Sequence, residues 1–223
     1  MIGIIVAMDK ELELLLPLVD GVREFADGRF TFYCGGIGPR EIVAMKSGIG
    51  KVNAALATQA MIDRFQPSFI LSSGVAGGAG GRAGILDVVV ADRVVYGDVW
   101  CGPGTMWGEA AGCPLYFTTK PLDVPEEEGV KHGLICSSDR FISTVEDVEF
   151  LRENFPDVLA VDMESGAIAQ TCYLNNVPFA AVRVVSDTPG AGDNVAQYSD
   201  FWSDAPKATF KVVRKILETV EDL

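Results

Sequence analysis

Between Val158 and Asp187 the chain places carboxylates where apolar runs stop. Val158-Leu159-Ala160-Val161 breaks into Asp162-Met163-Glu164, and Phe179 to Val185 ends in Ser186-Asp187, with Arg183 the one charge inside that second run. Carboxylates brought together beside a guanidinium can divide acid/base work, one donating a proton while another stays ionised. Asp9, Glu11 and Asp139 join this inventory, because Ile2 to Ala7 and Gly133 to Cys136 are also apolar runs that stop at polar turns. The single histidine, His132, falls in a predicted turn and reads as a surface residue. Cys34, Cys101, Cys113, Cys136 and Cys172 show no CxxC or other metal-ligand spacing. Acids with an arginine, without a histidine triad or a metal set, point to acid/base chemistry on a polar substrate.

The elements that must position these groups alternate in type. Ile2 to Ala7 predicts a strand, the Leu-rich segment to Leu18 a helix, and Phe30 to Cys34 with Glu41 to Lys46 a hairpin about Gly35 to Pro39. Lys51 to Phe65 carries an apolar stripe of Val52, Ala55, Leu56 and Ile62, hence a helix. Phe69 to Leu71 predicts a strand running into a glycine-rich turn from Ser72 to Gly81, where missing side chains let backbone approach a ligand. Ile85 to Val95 and Gly133 to Cys136 predict strands, and Glu146 to Asn154 a helix. Val158 to Asp187 reads as strand, crossover helix (Ser165 to Leu174) and next parallel strand. Thr188 to Tyr198 reads as a loop and Phe201 to Val220 as an amphipathic helix. The segment from Tyr96 to Cys113, with Trp100, Met106 and Trp107 among glycines, reads as a lid or an oligomer contact. In open α/β sheets ligands bind outside the carboxyl ends of strands, where these acids fall.

Composition narrows the classes. With 223 residues, 48% of them hydrophobic, the chain is long enough for a sizeable core, and one α/β domain over 1–223 is expected. A formal charge of -13 argues against a nucleic-acid or anionic-membrane partner. An odd number of scattered cysteines suits reduced thiols, and neither a charged-then-apolar leader nor an apolar run of ~20 residues opens or interrupts the chain, so a soluble cytoplasmic protein is expected. Neither Ser72 to Gly81 nor Ser47-Gly48-Ile49-Gly50-Lys51 has the register of a dinucleotide fingerprint or a P-loop.

Five motifs, in order along nearly the whole chain, carry a resemblance. Gly3 to Glu11, Ser47 to Ala55, Ser73 to Gly78, Val161-Asp162-Met163-Glu164-Ser165 and Val182 to Asp187 resemble the nucleoside phosphorylase superfamily, and its hydrolase branch, the 5'-methylthioadenosine/S-adenosylhomocysteine nucleosidases. The resemblance implies a three-layer α/β sandwich with a central mixed, mostly parallel twisted sheet flanked by helices. It also implies hydrolysis of the N-glycosidic bond of a 5'-substituted adenosine by a homodimer without metal or cofactor. Asp187 matches the general acid at N7 of the leaving adenine. Glu11 matches the acid that, with Arg183, positions and deprotonates water. Glu164 matches an ionised carboxylate on the ribose 2'- and 3'-hydroxyls, with Met163 against the sugar. Phe141 matches the residue stacked on the base, and Ile142 the backbone at its edge. Ile49, Val75, Ala76, Gly77 and Ser186 join the substrate-binding set through the motifs that contain them, and Tyr198 matches an aromatic flap residue. Asp162 is expected to cap the helix that follows it.

The alternatives are a phosphate-dependent phosphorylase and a non-catalytic nucleoside-binding protein on the same fold. Phosphorylases of the superfamily hold phosphate with arginines after the first strand and before the glycine-rich turn. Here those places carry Asp9-Lys10-Glu11 and Ser72-Ser73, and carboxylates repel phosphate. Pro103 falls near the place where the bacterial nucleosidases have a 5'-group-covering aromatic, leaving open methylthio, homocysteinyl, deoxy and aminofutalosine 5'-substituents.

Overall fold

The first apolar run becomes β1 (Ile2–Val6), buried at every position between two parallel neighbours, β4 (Arg40–Lys46) and β5 (Phe69–Gly78). The computed structural model describes residues 1–79, 81–122, 124, 129–204 and 214–216. Helix α1 (Asp9–Leu15) follows β1, then a 3-10 turn at Leu16–Leu18 and the strands β2 (Asp20–Asp27) and β3 (Phe30–Ile37). Helix α2 (Lys51–Phe65) leads into β5, and β6 (Val88–Tyr96), β7 (Phe117–Thr118) and β8 (Val130–Ser137) come next. The remainder is α3 (Val145–Asn154), β9 (Val158–Asp162), α4 (Ser165–Leu174), β10 (Phe179–Asp187) and α5 (Asn194–Asp204).

These strands form one mixed sheet in the order β10-β6-β8-β9-β5-β1-β4-β3-β2, with β7 on β6. Because strand side chains alternate between faces, successive residues feed different cores. Ile5, Val43, Met45, Ile70 and Ala181 join Ala54, Met61 and Ile168 of α2 and α4, whereas Ile4, Ile42, Ala44, Leu71 and Val182 join Leu12, Leu15 and Phe201 of α1 and α5. The sheet is therefore the middle of three layers, as expected. A third cluster puts Val148 and Leu151 of α3 on Val95, Leu134 and Cys136.

Three expectations are corrected by the sheet. β10 is not the parallel neighbour of β9: β10 runs parallel to β5, whereas β9 meets β5 antiparallel. The sheet curls so that β10 pairs both β5 and β6, closing a ring through β8 and β9. Gly77 lies opposite both Val161 and Asp187, so the carboxyl end of β9 still reaches the ends of β5 and β10. Second, Ser72 to Gly78 is strand, not turn; side chains are missing there because neighbours press against the backbone. At Gly74 a Cβ would meet Glu11 Oε1 at 2.5 Å. Third, β2 has no counterpart in the predicted elements: every residue of it is exposed, so no apolar alternation marks it.

Other boundaries shift as well. β6 begins at Val88 rather than Ile85, and His132, though exposed, lies in β8 rather than a turn. Helix α5 starts at Asn194, inside the predicted 188–198 loop. Of the predicted 201–220 helix, 205–213 and 217–220 lie outside the described residues.

Candidate active site

A cleft of about 350 Å³ opens where β5, β9 and β10 end. Its lining includes Glu11, Ile49, Val75, Ala76, Gly77, Phe141, Ile142, Met163, Glu164, Ser186, Asp187 and Tyr198, twelve of the thirteen predicted site residues. Arg183 is the exception: it lines a second, much smaller cavity behind Glu11, shared with Ser47, Ser72, Ser73, Gly74 and Glu164.

Glu11 sits at the third position of α1, where a first-turn acid also favours the helix dipole. Its Oε2 accepts from the N–H groups of Ala7 (2.8 Å) and Met8 (2.9 Å), and its Oε1 from Val75 N–H (3.0 Å). The side chain is thus tied to both β1 and β5 and points away from solvent. Burial pushes its pKa up, against the pull of the Val75 bond, Arg183 and the two other backbone bonds. Asp9 is neither its N-cap nor part of the cleft: Met8 is the N-cap, and Asp9 pairs with Lys46 at 2.6 Å on the surface.

Glu164 is the N-cap of α4, yet its carboxylate reaches back across the cleft, where Oε1 accepts from Gly50 N–H at 2.9 Å. Burial first and then the neighbouring Asp162 push its pKa up to about 7, opposed by the Gly50 bond and Arg183, with Glu11 adding to the rise. Asp162 does bind the start of α4, accepting from Ser165 N–H (3.3 Å) and Ser165 Oγ–H (2.9 Å). It has a second task that spacing did not reveal. Arg183 donates to it through Nε at 2.8 Å, and through a second guanidinium nitrogen to Ser72 Oγ, also at 2.8 Å. A guanidinium 2% exposed needs such a partner, and a lone arginine in an apolar strand is the signal that one must exist.

Asp187 ends β10 and is buried. Ser186 Oγ lies 2.7 Å from its Oδ1 and 3.2 Å from Ala76 O, while Asn194 Nδ2 donates to Oδ2 at 3.4 Å. One hydroxyl hydrogen cannot serve two acceptors; with Asp187 protonated, the acid donates to Ser186 Oγ and Ser186 to Ala76. Burial likewise raises the Asp187 pKa, against the lowering effect of Ser186 and Asn194.

The apolar walls come from separate segments. Phe141 is 45% exposed, on the cleft and not in the core, and meets Tyr198 edge to face at 5.9 Å. Tyr198 lies on α5, with its hydroxyl 3.3 Å from Met8 Sδ and its ring against Trp202. Met8, Ala7, Arg140 and Val161 also line the cleft but were not singled out from sequence; Met8, directly before the first-strand acids, was the most discoverable of them. Among the described residues no group of three His, Cys, Asp or Glu side chains is arranged to hold a metal ion.

Comparison with known proteins places the chain in a family. Residues 1–218 match the model of the phosphorylase superfamily. The chain is 35% identical, over 98% of its length and 99% of the relative's, to 5'-methylthioadenosine/S-adenosylhomocysteine nucleosidase of Listeria monocytogenes. The chain belongs to this nucleosidase family of the phosphorylase superfamily. Among solved nucleosidases, that of Streptococcus pneumoniae with a transition-state inhibitor superposes with TM-score 0.92 at 31% identity, each chain covered to 99%. That of Streptococcus pyogenes with 5-methylthiotubericidin gives 0.92 at 35%, covering 99% of this chain and 97% of that one. Family membership agrees with the five-motif resemblance and with the layered sheet.

Proposed function

We propose that this chain cleaves the N-glycosidic bond of a 5'-substituted adenosine, such as 5'-methylthioadenosine, S-adenosylhomocysteine or 5'-deoxyadenosine, with water. The products are adenine and a 5-substituted ribose. The observation that carries the reading is the pair of cavities that meet at Glu11: a 350 Å³ cleft, and behind the carboxylate a space of about 10 Å³. The second suits a single water molecule.

In this reading the purine lies between Phe141 and the Val75 to Gly77 backbone, with Ile142 at its edge and its N7 toward Asp187. Protonated Asp187 donates to N7 as the base departs, and the Ser186 hydroxyl then turns toward the carboxylate left behind. Glu164 accepts from the ribose 2'- and 3'-hydroxyls, and Met163 packs on the sugar. Positive charge grows on the sugar as the bond stretches, so carboxylates nearby lower the barrier. Glu11 takes a proton from water, and its raised pKa makes it a stronger base. Arg183, held by Asp162 and Ser72, acts beside Glu11 as a fixed positive charge that orients the water. Ile49 and Tyr198 cover the 5' end.

We also infer that one nucleoside phosphorylase-like domain spans 1–223, since the ten strands among the described residues all join one sheet. A homodimer accounts for the apolar surface on α2 and the 97–113 segment, where Val52, Leu56, Trp100 and Met106 are exposed. The five free thiols suit the cytoplasm. Among the described residues no helix is long and apolar enough to cross a membrane. The test is an adenine-release assay over a panel of 5'-substituted adenosines with and without phosphate. Release in phosphate-free buffer is expected; release that begins only when phosphate is added means phosphorolysis, and binding without release means a non-catalytic binder.

A further inference from the structure

Three segments far apart in sequence meet beside Glu164 and lock one another. Asp98, just beyond β6, accepts from Lys51 Nζ through Oδ1 and from the Asp139 N–H through Oδ2, both at 2.8 Å. Asp139, just beyond β8, accepts from the Lys51 N–H at 2.7 Å, which closes a ring of three residues. Lys51 opens α2, and the residue before it, Gly50, donates the backbone hydrogen bond to Glu164.

The ring fills a local need. Gly50 is the N-cap of α2 but has no side chain to cap with, and its φ of 93° is one that residues with a Cβ rarely adopt. Asp139 supplies the cap from outside, its carboxylate favoured by the helix dipole, and passes so close that a Cβ on Gly50 would lie 3.1 Å from its Oδ1. Lys51 Nζ also stands 5.1 Å over the Tyr96 ring, whose hydroxyl donates to Gln170 of α4 at 2.7 Å. The Lys51 and Asp98 side chains are only 21% and 22% exposed, so their pairing is less screened than a surface ion pair. Asp139 in turn leads directly into Arg140, Phe141 and Ile142, which line the cleft.

We propose that Lys51, Asp98 and Asp139 are positioning residues for sugar recognition: their ring fixes the Gly50 N–H, and through it the Glu164 carboxylate that holds the ribose hydroxyls. This rests on the ribose-binding reading of Glu164. The ring touches no substrate; it sets the rotamer of the group that does. Without it the N-terminus of α2 loses its cap and Gly50 is free to leave Glu164, which then accepts from the 2'-hydroxyl in a less defined geometry.

The readout is discrimination between a substrate and its 2'-deoxy analogue, since a merely structural ring would not affect one more than the other. kcat/KM is measured for 5'-methylthioadenosine and its 2'-deoxy analogue in wild type, Asp98→Asn, Asp139→Asn and Glu164→Gln. The greater intrinsic lability of the deoxy glycoside cancels on comparison with wild type. Asp98→Asn and Asp139→Asn are expected to lower kcat/KM for the ribonucleoside about tenfold, the size of a lost charge-assisted hydrogen bond. The deoxy analogue, which offers Glu164 only its 3'-hydroxyl, should lose less than the ribonucleoside, so that discrimination falls as in Glu164→Gln. If Glu164→Gln collapses discrimination while the ring variants lower both substrates equally, or neither, the ring is only a staple and the proposal is wrong. If Glu164→Gln leaves discrimination intact, the ribose reading fails and the proposal with it. Should Asp98→Asn not fold, Lys51→Met, which keeps the side-chain stem and the backbone N–H, reads the same ratio.

Discussion

Asp187 and Glu11 are both buried carboxyl groups with raised pKa values, yet their surroundings suit opposite tasks. Glu11 accepts from three backbone N–H groups, which hold an anion. Asp187 faces a serine whose single hydrogen is contested by a carbonyl, an arrangement that a proton on Asp187 satisfies. Asp187→Asn keeps the shape and removes the donor. It is expected to lower kcat by ~10²–10⁴, the range of a lost general acid, while the melting temperature stays near that of wild type. The sign of the pH dependence follows from the same assignment. Activity needs the protonated acid, so kcat/KM should fall as pH rises through the elevated Asp187 pKa, and the residual activity of the asparagine variant should lack that alkaline limb. Full activity in the variant would remove Asp187 from the acid role.

Among the elements, β5 shows how a strand can serve as a wall. Its Gly74 is paired with Arg183 of β10 and faces Glu11 so closely that a methyl group would overlap the carboxylate. Gly74→Ala is expected to cost about 1–3 kcal/mol, as overpacking of a tight core does, lowering the melting temperature by several degrees. Activity should fall further than stability, by up to about 100-fold, because Glu11 must move to make room. Thermal melts and adenine release on the same preparation check both; a variant of wild-type activity would show that Glu11 need not stay where it is. Helix α5 gives the opposite lesson about legibility. Thr188-Pro189-Gly190-Ala191-Gly192 carries strong turn signals, and those signals hid the helix that begins at Asn194 two residues later. Tyr198 lines the cleft but was expected on a loop, whereas helical spacing is what puts Asn194 near Asp187, Tyr198 on Phe141 and Trp202 on Tyr198.

For the molecule as a whole, the exposed face of α2 is the informative surface. Val52 and Leu56, one turn apart, are 70% and 47% exposed, and the Lys51 to Asp98 ion pair ties that end of the helix to the segment carrying Trp100 and Met106. A surface of this kind suits a self-complementary contact. Light scattering should give about twice the 23.9 kDa chain mass, and Val52→Asp with Leu56→Asp should shift it toward the monomer and make specific activity depend on protein concentration. A wild-type monomer at micromolar concentration would leave these side chains without the role assigned here.

Local chemistry was enough to mark where the acids stand. Apolar runs that end in polar residues put Glu164 and Asp187 near strand ends, because a buried strand cannot carry a charge into the core without a partner, whereas Glu11, by spacing alone a first-turn helix acid, was singled out only through the family resemblance. The division of labour among them was not legible. Asp162 as the partner of Arg183, the Gly50 N–H as the partner of Glu164 and the Val75 N–H as a partner of Glu11 are pairs 21 to 114 positions apart. Sheet closure brought them together: β10 pairs with β5 and β6, and β9 crosses β5 antiparallel, at positions no local pattern specifies. Burial and charge separation set these acids' protonation, and both are properties of the closed sheet rather than of any segment in it.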